Sequence, residues 1–307
     1  MFLSRRFGRS RTAIRQRLAG EILDVHGLPL KWSHCVRAGE ILTVPALVHE
    51  EPQIPILFDI LYQDESLVAV DKGPGLPVHP SRSWRTRTLV TCLRQRCNDP
   101  GIHPAHRLDR ETSGVIVLGR TPEALRALMA HFVKGRPRKR YLAVVRGVPT
   151  FDRIRLSFPL GPDPDFPIRC RMRVDLHNGQ PAETEVEVLE RLGDRTLLSV
   201  VPRTGRQHQI RVHLAHAGFP VLGDKLYQED GNPYLAMIQG GLTEQDLKRL
   251  GHCRHALHAE SLTLPHPVSG EEQCFQAPFP EDLVRLVAGL GDVRSNPGSG
   301  CPGTRAL

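Results

Sequence analysis

The stretch His106-Arg-Leu-Asp-Arg-Glu-Thr-Ser-Gly-Val-Ile-Val-Leu-Gly-Arg120 joins a polar turn to an uninterrupted apolar run. The run from Val115 to Leu118 contains no polar residue, which predicts a buried strand. Asp109 precedes this strand and has an arginine on its C-terminal side. A strand buried in the core is a rigid support for a reactive group at its mouth. Asp109 is therefore a candidate functional residue, although Asp is also common in turns for purely structural reasons.

Apolar periodicity outside this stretch predicts both strands and helices. The predicted strands cover residues 58–62, 67–70, 141–145, 183–189, 196–201, 257–264 and 274–277. The predicted helices cover residues 88–97, 121–134, 207–217, 243–250 and 280–290. Thr121-Pro122-Glu123 is a strong helix start, because it offers a capping hydroxyl, a proline at the first position and an acid in the first turn.

Changes in composition divide the chain into four segments. Residues 1–48 predict a small α/β module, in which a basic helix over 13–18 precedes two short strands over 21–27 and 36–44. Residues 49–56 contain two prolines and predict a linker. Residues 57–290 contain the other predicted elements, and residues 291–307, rich in Gly, Pro, Ser and Arg, predict a disordered tail.

The charge balance favours a polyanionic partner. The 307 residues include 41 basic and 33 acidic side chains, a formal net charge of +8. The seven cysteines are irregularly spaced without a Cys-x-x-Cys pair, which predicts reduced thiols and a cytoplasmic location. No apolar run approaches the length of a membrane span, and the cluster from His252 to His258 lacks the second ligand set that a metal site requires.

Four more motifs accompany the first one. They are Asp71-Lys-Gly-Pro-Gly-Leu-Pro-Val-His-Pro80, Lys139-Arg-Tyr-Leu-Ala-Val-Val-Arg-Gly147, Thr204-Gly-Arg-Gln-His-Gln-Ile-Arg-Val-His213 and Gly223-Asp-Lys-Leu-Tyr227. The stretch that begins at Asp71 precedes His106-Arg-Leu-Asp109 and Thr112-Ser-Gly114, and the others follow them. In this chain order, the motifs resemble those of the RluA-type pseudouridine synthases, and the resemblance covers residues 57–285. Residues 1–48 resemble an S4-type RNA-binding domain, although they are short and begin differently.

The resemblance implies a fold, a reaction and a set of roles. It implies an α+β fold with a mixed, largely antiparallel sheet and flanking helices, and an isomerase that needs neither a metal nor an organic cofactor. By the match, Asp109 is the essential acid and Arg206 is the arginine that pairs with it. Arg107 is the residue that enters the space left by an everted base, and Tyr141 stacks on that base.

Other interpretations of the same residues remain open. Without the resemblance, Arg107 fits a surface ion pair and Tyr141 a core strand residue. The chain as a whole also fits a non-catalytic RNA-binding or ribosome-assembly factor. A hydrolase that excises a base is a third candidate, but it needs a second carboxylate to activate water. The expected partner is RNA, ribosomal rather than transfer RNA, and the expected state is a monomer.

Overall fold

The computed structural model describes residues 12, 15, 21–44, 51–81, 84–239 and 241–290. The chain divides into two compact units, one that ends at Glu51 and one that begins at Pro52. No helix in these described ranges is long and apolar enough to cross a membrane.

The first unit contains isolated bridges in the place of the two predicted strands. Leu23 bridges to Pro29 and to Thr43. The chain turns after Asp24, whose carboxylate accepts hydrogen bonds from the backbone N–H groups of His26 and Leu28. Because this side chain satisfies the backbone donors locally, the segment forms a compact turn where a longer strand was expected. Most of the predicted helix over 13–18, the stretch 45–50 and the predicted tail lie outside the described residues.

The second unit contains both strands and helices. Its strands are β1 (Phe58–Gln63), β2 (Leu67–Lys72), β3 (His103–Pro104), β4 (Ser113–Gly119), β5 (Arg138–Arg146), β6 (Arg153–Ser157), β7 (Leu160–Pro162), β8 (Met172–Val174), β9 (Glu183–Leu192), β10 (Arg195–Pro202), β11 (Leu257–Pro265) and β12 (Glu272–Gln276). Its α-helices are α1 (Leu89–Cys97), α2 (Pro122–Val133), α3 (Gln209–His216), α4 (Asn232–Gln239), α5 (Glu244–Leu250) and α6 (Glu281–Val287). These bounds confirm the predicted helices and strands of this unit to within a few residues.

One sheet organises the second unit. Ten described strands join in the order β1-β2-β4-β11-β5-β10-β9-β6, with β12 beside β11 and β3 beside β4. Among these pairs β4 and β11 are parallel and the others are antiparallel. The predicted mixed, largely antiparallel sheet with flanking helices is therefore confirmed.

Strand β4 is buried along its whole length because both of its faces are covered. Ile116 and Leu118 pack in one apolar cluster with the buried residues of α1, and Val115 and Val117 pack in another with Leu128 of α2. A strand covered on both faces has no solvent-facing positions, which explains its continuous apolar sequence. The turn that carries Asp109 is therefore attached to the most buried strand of the sheet.

Gly114 lets β11 approach the start of β4 closely. Its φ angle is +108°, and a Cβ placed there would lie 2.1 Å from the carbonyl oxygen of Ala259. Any other residue would both strain the backbone and separate the two strands. Hydrogen bonds of 2.8 Å from Thr112 to His255 and of 3.0 Å from Ser113 to His258 complete this junction.

Candidate active site

A cavity of about 660 Å³ opens beside the turn before β4. The other sides of the cavity are formed by the start of β5 and by the segment between β10 and α3. All four residues singled out from the sequence line it: Arg107, Asp109, Tyr141 and Arg206. The structure thus brings together residues from three motifs that are separated by up to about a hundred positions.

Asp109 pairs with the guanidinium of Arg211. Nη1 of Arg211 donates to Oδ2 of Asp109 at 2.8 Å, and the side chains are 7% and 21% exposed. Asp224 binds a different edge of the guanidinium. Nε and Nη2 of Arg211 donate to the two carboxylate oxygens of Asp224 at 2.6 and 2.8 Å. Because Asp224 is fully buried and bidentate, it fixes the direction in which Nη1 points. Burial opposes the charge on Arg211, but these two carboxylates raise the pKa of Arg211 well above its usual value.

The predicted pairing of Arg206 with Asp109 is wrong. Arg206 is exposed, and its Nε donates to the carbonyl oxygen of Pro181 at 3.1 Å. Helix α3 begins at Gln209, so Arg206 lies in the turn before the helix and at the rim of the cavity. Arg211 lies inside the helix, where every residue from Gln209 to Leu214 is buried. A buried arginine requires a carboxylate partner, and this requirement applies to Arg211 and not to the exposed Arg206.

The carboxyl group of Asp109 is held ionised. Burial acts to raise its pKa, but Arg211, joined at low pH by the protonated His208 and His255, outweighs burial and holds the pKa of Asp109 well below its usual value. Burial also lowers the pKa of His208 to about 4 and that of His255 to about 3. Both imidazoles are therefore neutral at pH 7, and Arg211 is the group that stabilises the carboxylate there.

His208 is a site residue that was not predicted from the sequence. Its Nε2 lies 3.7 Å from Oδ1 of Asp109, and its Nδ1 lies 2.8 Å from the hydroxyl of Tyr227. The backbone of His208 is left-handed, with φ of +55°. This conformation is uncommon for a residue other than glycine, and such strain concentrates at functional sites.

The buried histidines predict how stability depends on pH. The pKa values of His208 and His258 are lowered to about 4 and those of His106 and His255 to about 3, in each case chiefly by burial. In the unfolded state each imidazole binds a proton near pH 6.5. Below that pH the unfolded state therefore binds more protons than the folded state. The stabilising contribution of these groups is fully present above pH 6.5 and is lost as the pH falls toward 4.

We expect the free energy of unfolding, measured by urea titration, to fall steadily from pH 7 to pH 5. Each of the four histidines contributes up to about 1.4 kcal/mol per pH unit to this slope. A His255→Asn variant should have a smaller slope than the unsubstituted chain. Equal free energies at pH 7 and pH 5 would contradict the prediction.

Lys72 connects the motif that begins at Asp71 to the turn that carries Asp109. It is fully buried, and its Nζ donates to the carbonyl oxygens of Gly73, Leu76 and Arg110 at 2.9, 3.1 and 3.1 Å. Burial, with repulsion from Arg254, lowers the pKa of Lys72 to about 7. These bonds to backbone oxygens make Lys72 a residue that stabilises the two turns.

A second ion pair lies behind Asp109. Nζ of Lys225 donates to both carboxylate oxygens of Glu111 at 3.0 Å and to the carbonyl oxygen of Cys253 at 2.7 Å. Glu111 also accepts from the backbone N–H of His255 at 3.1 Å. Both charges of this pair are therefore used to hold the loops around the site.

The histidines from His252 to His258 bind neighbouring side chains. His252 lies 3.3 Å from Asp282, His255 contacts Thr112 and His258 contacts Ser113. Within the described ranges, no group of three His, Cys, Asp or Glu side chains is arranged to hold a metal ion.

Comparison with known proteins shows which family the chain is similar to. Residues 66–216 match the family model described as RNA pseudouridylate synthase. The chain is 38% identical over 252 residues to ribosomal large subunit pseudouridine synthase D of Neisseria meningitidis, covering 79% of this chain and 65% of that protein. It is 38% identical over 231 residues to the dual-specificity RNA pseudouridine synthase RluA of Escherichia coli, covering 75% of this chain and 96% of that protein.

A solved structure supports the same assignment. The structure of human RNA pseudouridylate synthase domain containing 1 matches with a TM-score of 0.59 and 28% sequence identity, covering 77% of this chain and 90% of that one. The match to the Neisseria protein leaves about a third of that relative's length uncovered. The match to the Escherichia coli protein covers almost all of that relative. The chain therefore belongs to the RNA pseudouridine synthase family, and within that family to the RluA type.

Proposed function

We propose that this protein isomerises uridine to pseudouridine in structured RNA. One observation carries the proposal: an ionised Asp109, paired with Arg211, faces a cavity that Tyr141 also lines. The reaction breaks the bond between N1 of the base and C1′ of the ribose, turns the base and joins C5 to C1′. The proton on C5 is released and N1 gains one, so no co-reactant is consumed.

An ionised carboxylate is what this reaction requires of Asp109. Attack on C1′, attack on the base and removal of a proton from the sugar are alternative first steps, and each starts from the carboxylate form. Arg211 supports that form at pH 7 while leaving Oδ1 of Asp109 without a guanidinium contact. A partly exposed Asp109 can therefore meet a substrate and still be ionised.

Arg107 and Tyr141 are suited to an everted nucleotide. Arg107 is exposed and lines both the main cavity and a second cavity of about 460 Å³. No carboxylate of the described residues pairs with it, which disfavours the surface ion pair considered above. Its guanidinium is thus available to occupy the space that a flipped base leaves in the RNA. Tyr141 presents an aromatic ring at the cavity, where a uracil can stack.

The hydrolase hypothesis lacks a second acid. Among the described residues that line the main cavity, Asp109 is the one with a carboxylate. The nearby acids Glu111 and Asp224 are committed to Lys225 and Arg211. The hypothesis of a pure RNA-binding factor gives no reason for an anionic group that faces anionic RNA. An isomerase accounts for both observations.

The remaining parts of the proposal concern the RNA and the setting. We propose ribosomal RNA as the substrate, since the Neisseria relative is named for the ribosomal large subunit and the chain carries a net charge of +8. The S4-like first unit is proposed to bind RNA. A monomer in the cytoplasm is proposed as the working state, in keeping with the free thiols of Cys35, Cys97, Cys170 and Cys274.

Mapping pseudouridines in cells tests the activity. Ribosomal and transfer RNA are compared among cells that lack the chain, cells with the unsubstituted chain and cells with Asp109→Ala. We expect one or a few uridines to lose modification without the chain and to regain it only with the unsubstituted chain. The amount of folded Asp109→Ala protein, checked by thermal melting, is the control. Full modification in cells with Asp109→Ala would refute the proposed function.

A further inference from the structure

The basic run from Lys134 to Arg140 is divided by the alternation of strand β5. Arg138 pairs with Glu272 at 2.6 Å, and Arg140 pairs with Glu260. Successive side chains of a strand point to opposite faces, so Lys139 projects away from these two arginines. Lys139 shares its face with Tyr141, and both line the main cavity.

Lys139 brings an unpaired positive charge to this cavity. No carboxylate of the described residues lies within ion-pair distance of Lys139. Its Nζ lies 5.9 Å from the ring centre of Phe132, and a Cβ on Gly205 would be 3.6 Å from it. Burial lowers the pKa of Lys139 from its usual value. An ammonium group that is partly desolvated and lacks a protein anion is stabilised by an anion from a ligand.

The position of Lys139 along β5 indicates which part of a nucleotide it meets. Burial increases from Arg138, which is exposed, to Leu142, which is buried. Tyr141 is therefore on the inner side of Lys139, about 6.6 Å farther along the strand. A base stacked on Tyr141 has its sugar and phosphate toward the cavity mouth, where Lys139 lies.

We propose that the ammonium group of Lys139 binds a phosphate oxygen next to the everted uridine and so fixes the depth to which the nucleotide enters the cavity. This role deepens the proposed function and rests on it. Lys139 is a substrate-binding residue in this proposal, and Arg138 has no part in it because Glu272 neutralises its charge on the opposite face.

A synthetic RNA hairpin with a single uridine in its loop provides the test. It is prepared unmodified and with an uncharged methylphosphonate in place of the phosphate on the 5′ or the 3′ side of that uridine. The unsubstituted chain, Lys139→Gln and the matched control Arg138→Gln are compared. Both variants remove one positive charge from the same strand, but Arg138 is paired with Glu272 on one face and Lys139 lines the cavity on the other. Dissociation constants and rates of pseudouridine formation are measured.

With the unmodified hairpin we expect Lys139→Gln to weaken binding about tenfold, as for loss of one charge-assisted hydrogen bond. The association constant should also depend less steeply on salt. The slope of its logarithm against the logarithm of the salt concentration should decrease in magnitude by about 0.7, the value for one phosphate contact on a single strand. One of the two methylphosphonate hairpins should bind Lys139→Gln and the unsubstituted chain equally. Arg138→Gln should behave as the unsubstituted chain throughout.

The outcomes separate this inference from the proposed activity. A loss of the same size on all three hairpins, or the same loss in Arg138→Gln, would overturn the role of Lys139. If the hairpin binds but the unsubstituted chain forms no pseudouridine in it, the dissociation constants still decide the role of Lys139. The activity itself is decided by the cellular mapping.

Discussion

Asp109→Asn is expected to lower the rate of pseudouridine formation by about 10⁴-fold or more, the scale seen when an essential catalytic group is removed. Asparagine has nearly the shape of aspartate, and its carbonyl oxygen can still accept from Nη1 of Arg211. It cannot supply the negative charge that the first step requires. The rate is measured under single-turnover conditions on an RNA that the unsubstituted chain modifies.

RNA affinity provides the control for this substitution. The carboxylate of Asp109 faces the cavity that the anionic RNA is proposed to enter, so removing its charge should leave the affinity unchanged or increase it. Unchanged affinity with a lost rate identifies Asp109 as a catalytic group. If affinity and rate fall together by the same factor, Asp109 acts in binding and the catalytic assignment is wrong.

Arg211→Gln is expected to reduce both stability and activity. The substitution leaves the partly exposed carboxylate of Asp109 and the buried carboxylate of Asp224 without the charge that neutralises them. Breaking a buried ion pair by removing one partner costs about 3–5 kcal/mol. The pKa of Asp109 should also rise, because the group that stabilises its ionised form at pH 7 is gone. We expect a loss of about 3–5 kcal/mol in urea titrations and a loss of activity at pH 7.

Arg206→Gln is the matched control, since it removes the same kind of side chain from the same motif. Arg206 is exposed and donates to a backbone carbonyl oxygen, so its loss should change the free energy of unfolding by no more than about 0.5 kcal/mol. Weaker RNA binding is the expected effect of this variant, because Arg206 lies at the cavity rim. A larger destabilisation by Arg206→Gln than by Arg211→Gln would contradict the observed pairing.

The sequence predicted the elements of the second unit well because their signals are local. The apolar run before Gly119 became β4, and Thr121-Pro122 became the cap and first residue of α2. Gly193, with φ of +71°, lies in the turn between β9 and β10, which correspond to the predicted strands 183–189 and 196–201. In each case the neighbours in sequence are also the partners in space. The placement of Asp109 at the mouth of β4 followed from the same local pattern.

Two features of the site could not be predicted because they depend on contacts between distant residues. Arg206 and Arg211 lie in one motif, and only the start of α3 and the position of Asp224 decide which of them reaches Asp109. Burial of Lys72 depends on carbonyl oxygens of two separate turns. In the first unit the difference from the prediction is local. The side chain of Asp24 accepts from the backbone N–H of Leu28, and a turn forms where a strand was expected. An isolated pair of short strands is only marginally stable, so one such contact is enough to replace it.

The order of strands in the sheet has a consequence for the synthesis of the protein. Strand β11 lies between β4 and β5, although it follows them by more than a hundred residues. During translation, β4 and β5 leave the ribosome long before the strand that joins them exists. Thr112 and Ser113, which follow Asp109 closely in the sequence, likewise cannot form their hydrogen bonds until His255 and His258 have been made. A growing chain therefore lacks the junction that holds the turn of Asp109 against the sheet until β11 has been made.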